Sequence, residues 1–188
     1  MKVLTNLLLI LMIVFGVIAV IFTFISLGAS HPAPWIITAI VILIPILYSK
    51  YSASKYIQWN DKYSVNIQLI DDDHKRLIHL INQLQSSIDY YQSQSFDEEA
   101  LKELIDYTKF HFKREEDLMQ EYDYPGYEEH IVQHKKMIEK INNMVEKYSK
   151  SGESTISETV DFLRDWLINH IQKTDQQYVP FFKEKGVS

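Results

Sequence analysis

The sequence predicts an all-α protein in which an up-down-up-down four-helix bundle follows an N-terminal transmembrane helical hairpin. Residues 3–49 contain no Asp, Glu, Lys or Arg, although the 188-residue chain has 19 basic and 25 acidic residues. In four later segments, apolar residues recur at intervals of three and four, the spacing of one face of an α-helix. Short runs containing Ser, Gly or Pro separate these segments, which is typical of antiparallel neighbours in a bundle.

Residues 1–50, in which Lys2 and Lys50 are the only charged side chains, are predicted to form the hairpin, with spans at about 5–27 and 34–49. A helix of about 20 residues is roughly 30 Å long, which matches the hydrocarbon core of a bilayer. The prolines and small residues of 28–34 predict a turn between the spans. Pro45 is expected to kink the second span, because it cannot donate a helical hydrogen bond.

Charges that flank the hairpin predict its orientation. Lys2 lies before the first span, and Lys50, Lys55 and Lys62 follow the second, so the positive-inside rule places both ends in the cytoplasm. We therefore expect a protein of the inner or plasma membrane that contacts lipid, with its polar domain on the cytoplasmic side. In the alternative interpretation, residues 1–30 are a cleaved signal peptide, although the apolar run is long for one.

Residues 51–70 are predicted to connect the hairpin to the bundle, which occupies residues 71–188. Alternating apolar residues in this connector favour an extended stretch that lies against the core. The first bundle helix is expected to open at Asp71, because acidic residues suit a helix N-terminus. The second is expected to open at a capping box that starts at Ser95.

The third bundle helix is expected over about residues 127–148 and is broken at Ser151 and Gly152. The fourth is expected to start at a capping box from Thr155 and to be bounded by Pro180. The residues predicted to face the core are Leu77, Ile81, Leu84, Ile88, Leu101, Leu104, Thr108, Leu118, Met137, Ile141, Met144, Ile156, Val160, Leu163 and Leu167.

Ionisable residues continue these apolar stripes at positions where another leucine is expected. They are His74, His111, Glu115, His130, His134 and His170, with Asp175 five residues beyond the last. Burying so many ionisable groups is unfavourable unless something pairs with them, and metal ions are the natural partner. Seven ligands are too many for one transition metal and suit two, with carboxylates bridging them. The nitrogen-rich set favours iron, while zinc, manganese or cobalt are chemically tolerable.

Two positions do not follow the stripe. Five residues rotate by about 500° around a helix, so Asp175 lies about 140° away from His170 in projection. We therefore expect the last helix to loosen, bend or carry a π-bulge there. His79 turns away from the metal face and is interpreted as a rim or solvent residue, and His31 as an ordinary loop histidine.

Composition excludes several kinds of site and partner. The chain has no cysteine, which excludes disulfides, thiolate zinc sites, cysteine-ligated iron–sulfur clusters and cysteine nucleophiles. Its formal net charge is -6 and no basic stripe is present, so we expect no nucleic-acid partner.

Several stretches from about Tyr56 onwards form a combined pattern of high specificity. They are Ile57-Gln58-Trp59, Tyr63-Ser64-Val65, Ile70-Asp71-Asp72-Asp73-His74-Lys75-Arg76-Leu77, His111-Phe112-Lys113-Arg114-Glu115-Glu116, Tyr124-Pro125, His130-Ile131-Val132-Gln133-His134 and Trp166-Leu167-Ile168-Asn169-His170-Ile171, with Asp175. In this pattern the chain resembles the bacteriohemerythrins, single-domain oxygen-binding proteins of the hemerythrin fold. The N-terminal hairpin lies outside the resemblance.

The resemblance implies a non-haem di-iron site with an oxo or hydroxo bridge and O2 as its ligand. One iron would have three histidine ligands, and the other would have two and an open position for O2. The first set would be His130, His134 and His170, the second His74 and His111, and the bridging carboxylates Glu115 and Asp175.

Apolar residues beside the ligands are the expected walls of the oxygen pocket. They are Leu77, Phe112, Trp166 and Leu167. Such walls exclude water and slow irreversible oxidation. None of these side chains is a general acid or base, which favours oxygen binding over enzymatic turnover.

The leading function is therefore membrane-anchored reversible O2 binding for storage, delivery or buffering, with a membrane oxidase as one candidate partner. One alternative is an O2 or redox sensor that acts through a signalling partner. Another is a di-iron enzyme acting on O2, peroxide or nitric oxide, which the absence of a Glu-x-x-His motif disfavours. A purely structural metal bundle is the fourth possibility.

Overall fold

The computed structural model describes residues 2–90, 93–151 and 154–188. Within these residues the regular structure is entirely helical, as predicted. The α-helices are α1 Lys2–Leu27, α2 Pro32–Ser54, α3 Gln68–Tyr90, α4 Gln94–Glu121, α5 Tyr127–Ser151, α6 Ser154–Lys173 and α7 Val179–Glu184. Short 3-10 turns are formed by Asp61–Tyr63 and Asp175–Gln177. The chain divides into two compact units, 1–56 with 89–91 and 57–88 with 92–188.

Helices α1 and α2 pack against each other in the first unit. A Cβ atom at Gly16 would lie 2.5 Å from Cγ2 of Val41, so the absence of a side chain there permits the close approach. Near the N-terminal end of α1, the Tyr48 hydroxyl donates a hydrogen bond to Oδ1 of Asn6 at 3.1 Å. By length and composition, Leu4–Leu27 and Pro32–Ser54 are each apolar enough to cross a membrane.

The second of these helices is longer than expected. It runs to Ser54 and includes the first residues of the predicted connector, and Pro45 lies inside it. His31 is more than an ordinary loop residue, because its Nδ1 accepts a hydrogen bond from the Ala33 backbone N–H at 3.1 Å and caps the helix.

The segment before α3 lies against the core, as its alternating pattern predicts. Ile57, Val65 and Ile67 are buried. The segment contains a 3-10 turn, and α3 begins at Gln68 rather than at Asp71. The Asp71 carboxylate is instead used to hold the segment, since it accepts the Val65 backbone N–H at 2.8 Å.

The predicted start of α4 was wrong by two residues. Ser93 is the N-cap, and its hydroxyl accepts the Phe96 backbone N–H at 3.3 Å. Asp97, assigned to a capping box, is buried and accepts a hydrogen bond from the Ser87 hydroxyl at 2.5 Å.

Three residues of the predicted core stripes are only half-buried. They are Ile88, Leu118 and Met144. Met119 is buried in place of Leu118, because a step of four residues from the buried Glu115 reaches it directly. The predicted break at Gly152 lies outside the described residues.

Pro180 does not bound the fourth bundle helix. That helix, α6, ends at Lys173, and Pro180 lies in the first turn of α7. A proline is tolerated there because the first helical N–H groups have no partner within the helix.

Two apolar clusters fill the second unit, and the ionisable residues of α3, α4 and α5 lie between them along each helix. On α3, His74 lies between Ile70 of one cluster and Leu77 of the other. On α4, Glu115 similarly lies between Phe112 and Met119. The fold therefore places a polar layer between two water-excluding layers.

Candidate metal centre

All seven predicted ligand residues lie in this polar layer, and each is buried. Helix α3 carries His74, α4 carries His111 and Glu115, α5 carries His130 and His134, and α6 carries His170, with Asp175 in the turn that follows. Spacings of four residues, as between His130 and His134, place both side chains on one face of a helix.

The side chains form two overlapping groups. Within each group, the ligand atoms lie within 4.8 Å of one another. One group contains His130, His134 and His170 with Glu115, and the other contains His74 and His111 with Glu115. Nε2 of His134 lies 3.1 Å from Nε2 of His170, so two imidazoles point at the same small volume.

Asp175 also faces both groups. Its Oδ2 lies 3.5 Å from Nε2 of His74, and its Oδ1 lies 3.1 Å from Nε2 of His170 and 3.7 Å from Nε2 of His130. The distortion that the sequence predicts is present as a change from α6 to a 3-10 turn at Asp175, not as a π-bulge. This change turns Asp175 towards the interior, where an uninterrupted helix would have turned it away.

Glu115 is the second shared carboxylate. Its Oε2 lies 3.4 to 3.6 Å from Nε2 of His134, His130 and His111. Its other oxygen accepts a hydrogen bond from the buried Tyr178 hydroxyl at 2.6 Å, which fixes the orientation of the carboxylate.

Several atoms of this layer are buried without a hydrogen-bond partner among the described residues. They are both nitrogens of His74, Nδ1 of His111, Oε2 of Glu115, Nε2 of His130 and both carboxylate oxygens of Asp175. Unpaired buried polar atoms are unfavourable, and here they belong to side chains that converge. Imidazole nitrogens and carboxylate oxygens that converge in this way fit cations of the iron or zinc type.

The electrostatics of the layer favour anionic carboxylates. Burial alone would raise the pKa of Glu115, but the neighbouring imidazoles of His111, His130 and His134 hold it well below its usual value. The pKa of Asp175 is likewise lowered, because His170 and His74 outweigh burial and the repulsion from Glu115.

The pKa of one imidazole in the layer is raised by neighbouring carboxylates. Burial opposes a charge on His134, but hydrogen bonds to Glu115 and Glu116 raise its pKa to about 9. At neutral pH a metal ion that binds His134 would therefore compete with a proton.

Two carboxylates that sequence reasoning missed contact the outer nitrogens of predicted ligands. Oε1 of Glu116 lies 2.9 Å from Nδ1 of His134, and Oδ2 of Asp73 lies 3.5 Å from Nδ1 of His111. Each is adjacent in sequence to a predicted ligand, which is the signal that could have identified it. Carboxylates in this position fix which imidazole nitrogen faces a metal.

The four predicted pocket residues line one small cavity next to the layer. Ile81, Leu104, Thr108, Met137 and Leu163 complete its lining. Phe112 stacks on His134 with a centroid separation of 3.7 Å, and Trp166 stacks on His170 at 4.2 Å. His79, by contrast, is exposed, as predicted.

Comparison with known proteins gives consistent matches over this part of the chain. Residues 65–182 match the family model of the hemerythrin HHE cation binding domain. A bacteriohemerythrin of Methylococcus capsulatus is 31% identical over 119 residues, which are 63% of this chain and 90% of the relative. A bacteriohemerythrin of Pseudomonas aeruginosa is 32% identical over 66% of this chain and 80% of the relative.

A solved structure shares the fold. The crystal structure of a wild-type hemerythrin is 31% identical, with a TM-score of 0.61 over 66% of this chain and 95% of that chain.

Proposed function

The chain belongs to the hemerythrin HHE cation binding domain family, and from this premise we propose that it reversibly binds O2 at a non-haem di-iron centre. In this proposal it stores, delivers or buffers O2 at a membrane and is not an enzyme. Two iron ions, once bound, would supply the electrons that make O2 binding possible. The protein would supply the ligands, their orientation and the exclusion of water.

The proposed ligands follow the two overlapping groups of side chains. One iron would be held by His130, His134 and His170, and the other by His74 and His111, which leaves the second iron with fewer ligands. An open coordination position is what separates a reactive metal site from a structural one.

The observation that carries this proposal is the placement of Asp175. One of its oxygens faces His74 and the other faces His170 and His130, so a single carboxylate reaches both histidine groups. Glu115 belongs to both groups as well. Two buried carboxylates that each reach both groups are suited to bridging a pair of ions.

The apolar cavity supports binding in preference to turnover. Among the described residues that line it, none carries an ionisable side chain, and the Thr108 hydroxyl is committed to the Leu104 carbonyl at 2.8 Å. None of the described residues that line this cavity is therefore a general acid or base.

We further propose that α1 and α2 anchor the protein in the inner or plasma membrane. Their side chains are largely exposed, and large apolar residues such as Phe15, Phe22 and Ile25 are more than half exposed. Exposed apolar surface of this extent is unfavourable in water and favourable in lipid. The flanking lysines would place both ends, and the metal-binding unit, on the cytoplasmic side.

A test of O2 binding uses the full chain in a mild detergent, loaded with ferrous iron in the absence of air. We expect two irons per chain and a visible absorption band that appears with O2 and disappears under vacuum. A chain that holds fewer than two irons would overturn the proposed site. Irreversible oxidation with release of a product would indicate an enzyme instead.

A further inference from the structure

Three side chains, the buried Asp73 and the half-buried Tyr107 and Arg114, form a cluster on the outer side of His111. The Asp73 carboxylate is 2% exposed and accepts hydrogen bonds from Arg114 at 2.7 and 2.8 Å and from the Tyr107 hydroxyl at 2.7 Å. Arg114 thus neutralises the charge of a buried carboxylate whose Oδ2 also lies 3.5 Å from Nδ1 of His111.

The cluster touches His111 at only one of its two ring nitrogens. Nδ1 lies 3.5 Å from Oδ2 of Asp73, the carboxylate beside it, and has no hydrogen-bond partner among the described residues. Nε2 points the opposite way, towards Oε2 of Glu115 at 3.6 Å. A carboxylate beside Nδ1 stabilises the tautomer with its proton on Nδ1 and leaves the Nε2 lone pair free to face the centre.

Asp73 and Arg114 each lie close in sequence to one histidine of the second group. Asp73 directly precedes His74 on α3, and Arg114 lies about one helical turn after His111 on α4. The ion pair therefore joins α3 to α4 at the level of both imidazoles. A second pair, Arg76 with Glu103 at 2.6 Å, joins the same two helices, but both of its side chains are exposed.

We infer that Asp73 is a positioning residue that holds His111 in the Nδ1–H tautomer, and that Arg114 and Tyr107 hold Asp73 in place. This inference rests on the proposed metal site. It adds that the affinity of the second group for its ion depends on a three-residue cluster that itself contacts no metal. An arginine suits this role because it stays charged and donates to both carboxylate oxygens.

The test compares the full chain in detergent with Asp73→Asn, which removes the charge but keeps the shape. Metal-free samples labelled at histidine are studied by nitrogen-15 NMR, which distinguishes the two tautomers of His111. The same samples are then titrated with Co²⁺ alone, which binds nitrogen and oxygen ligands without O2 chemistry. We expect the Nδ1–H tautomer in the parent, a mixture in the variant, and about 10- to 100-fold weaker binding of one of two Co²⁺ ions.

Matched variants separate positioning from general stability. Arg76→Gln breaks the exposed pair between the same helices and should leave the tautomer and both Co²⁺ affinities unchanged. Tyr107→Phe removes one hydrogen bond to Asp73 and should shift both readouts in the direction of Asp73→Asn by a smaller amount. If Asp73→Asn does not fold, Tyr107→Phe carries the test.

The outcomes for the site and for the cluster can be told apart. A parent chain that fails to bind two Co²⁺ ions would contradict the proposed site, while the metal-free tautomer would still decide the role of Asp73. The inference is overturned if His111 keeps the Nδ1–H tautomer, unmixed, in both Asp73→Asn and Tyr107→Phe. It is also overturned if both variants bind two Co²⁺ ions as tightly as the parent does.

Discussion

At the scale of single residues, the centre depends on ionisable side chains in places where a bundle normally holds leucine. His74 is fully buried, and its Nε2 faces Asp175. The periodicity of the apolar stripes suffices to predict this convergence, because each stripe can be extended by its own period. The supporting contacts of Asp73 with Arg114 and of Glu115 with Tyr178 depend on distances between helices, which no local pattern encodes.

Replacing His74 by alanine should abolish O2 binding, because it removes one of the two imidazoles that we propose hold the iron with the open position. Helix content should remain close to that of the parent, since neighbouring Leu77 and Ile70 keep α3 anchored in both apolar clusters. O2-dependent absorption and circular dichroism check the two expectations. His79→Ala, on the same helix but exposed, is the control. Intact O2 binding in His74→Ala would show that the open iron is assigned wrongly.

The stability of the metal-free protein should fall as pH rises above neutrality. The folded-state pKa of His134 is about 9, above the ordinary value of 6.5, so its stabilising contribution is complete below 6.5 and is lost as pH rises through 9. Each unit of such a shift corresponds to about 1.4 kcal/mol. Urea unfolding between about pH 6 and pH 9 measures the decline.

Glu116→Gln provides the control for this decline. It removes one of the two hydrogen bonds that raise the pKa of His134, so the loss of stability should begin at lower pH. On the acid side the carboxylates act in the opposite sense. The lowered pKa values of Glu115 and Asp175 stabilise the fold above their unfolded values near 4 and lose this effect as pH falls. A flat profile from pH 6 to 9 would contradict the charged state of His134.

At the scale of elements, helix identity follows from periodicity, whereas helix ends depend on tertiary contacts. Ser93 and Ser95 are both good cap residues, and local sequence favours Ser95 because Glu98 follows at the capping-box distance. The structure selects Ser93, and Asp97 then turns inward to Ser87 on α3. The change at Asp175, by contrast, was predictable from periodicity. Its spacing from His170 does not let both side chains face the interior from one continuous helix.

Ser93→Ala should lower the free energy of unfolding by about 1 kcal/mol, because the Phe96 backbone N–H loses its cap. Ser95→Ala should have a smaller effect, since its hydroxyl contacts only that of Ser93 at 2.8 Å among the hydrogen bonds described for it. Urea unfolding of the two variants side by side makes the comparison. A larger loss of unfolding free energy in Ser95→Ala than in Ser93→Ala would show that Ser95 is the N-cap, as the sequence alone predicts.

At the scale of the whole molecule, two units of opposite character share one chain. The first exposes apolar side chains along α1 and α2, and the second buries ionisable ones between two apolar clusters. The hemerythrin family model matches residues 65–182, which belong almost entirely to the second unit. Tethering a binding protein to a membrane raises its local concentration near membrane partners without any new contact.

Removing residues 1–56 should transfer the protein from the membrane fraction to the soluble fraction, because the exposed apolar surface is lost. Metal content and O2 binding should be unchanged per chain, since all seven proposed ligands lie in the second unit. Cell fractionation and iron analysis of both forms check this. Recovery of the full chain in the soluble fraction would contradict the anchor.

The stack of Trp166 on His170 makes the fluorescence of this tryptophan a possible measure of iron occupancy. The other tryptophans pack elsewhere, Trp35 against Phe24 and Trp59 against Tyr63. The ring centroids of Trp166 and His170 lie 4.2 Å apart, so a coloured iron centre at the proposed ligands would be close enough to accept excitation energy from this indole. The fluorescence of Trp166 would then decrease more on addition of iron than on addition of colourless zinc, so iron occupancy of the purified chain could be followed without any added dye.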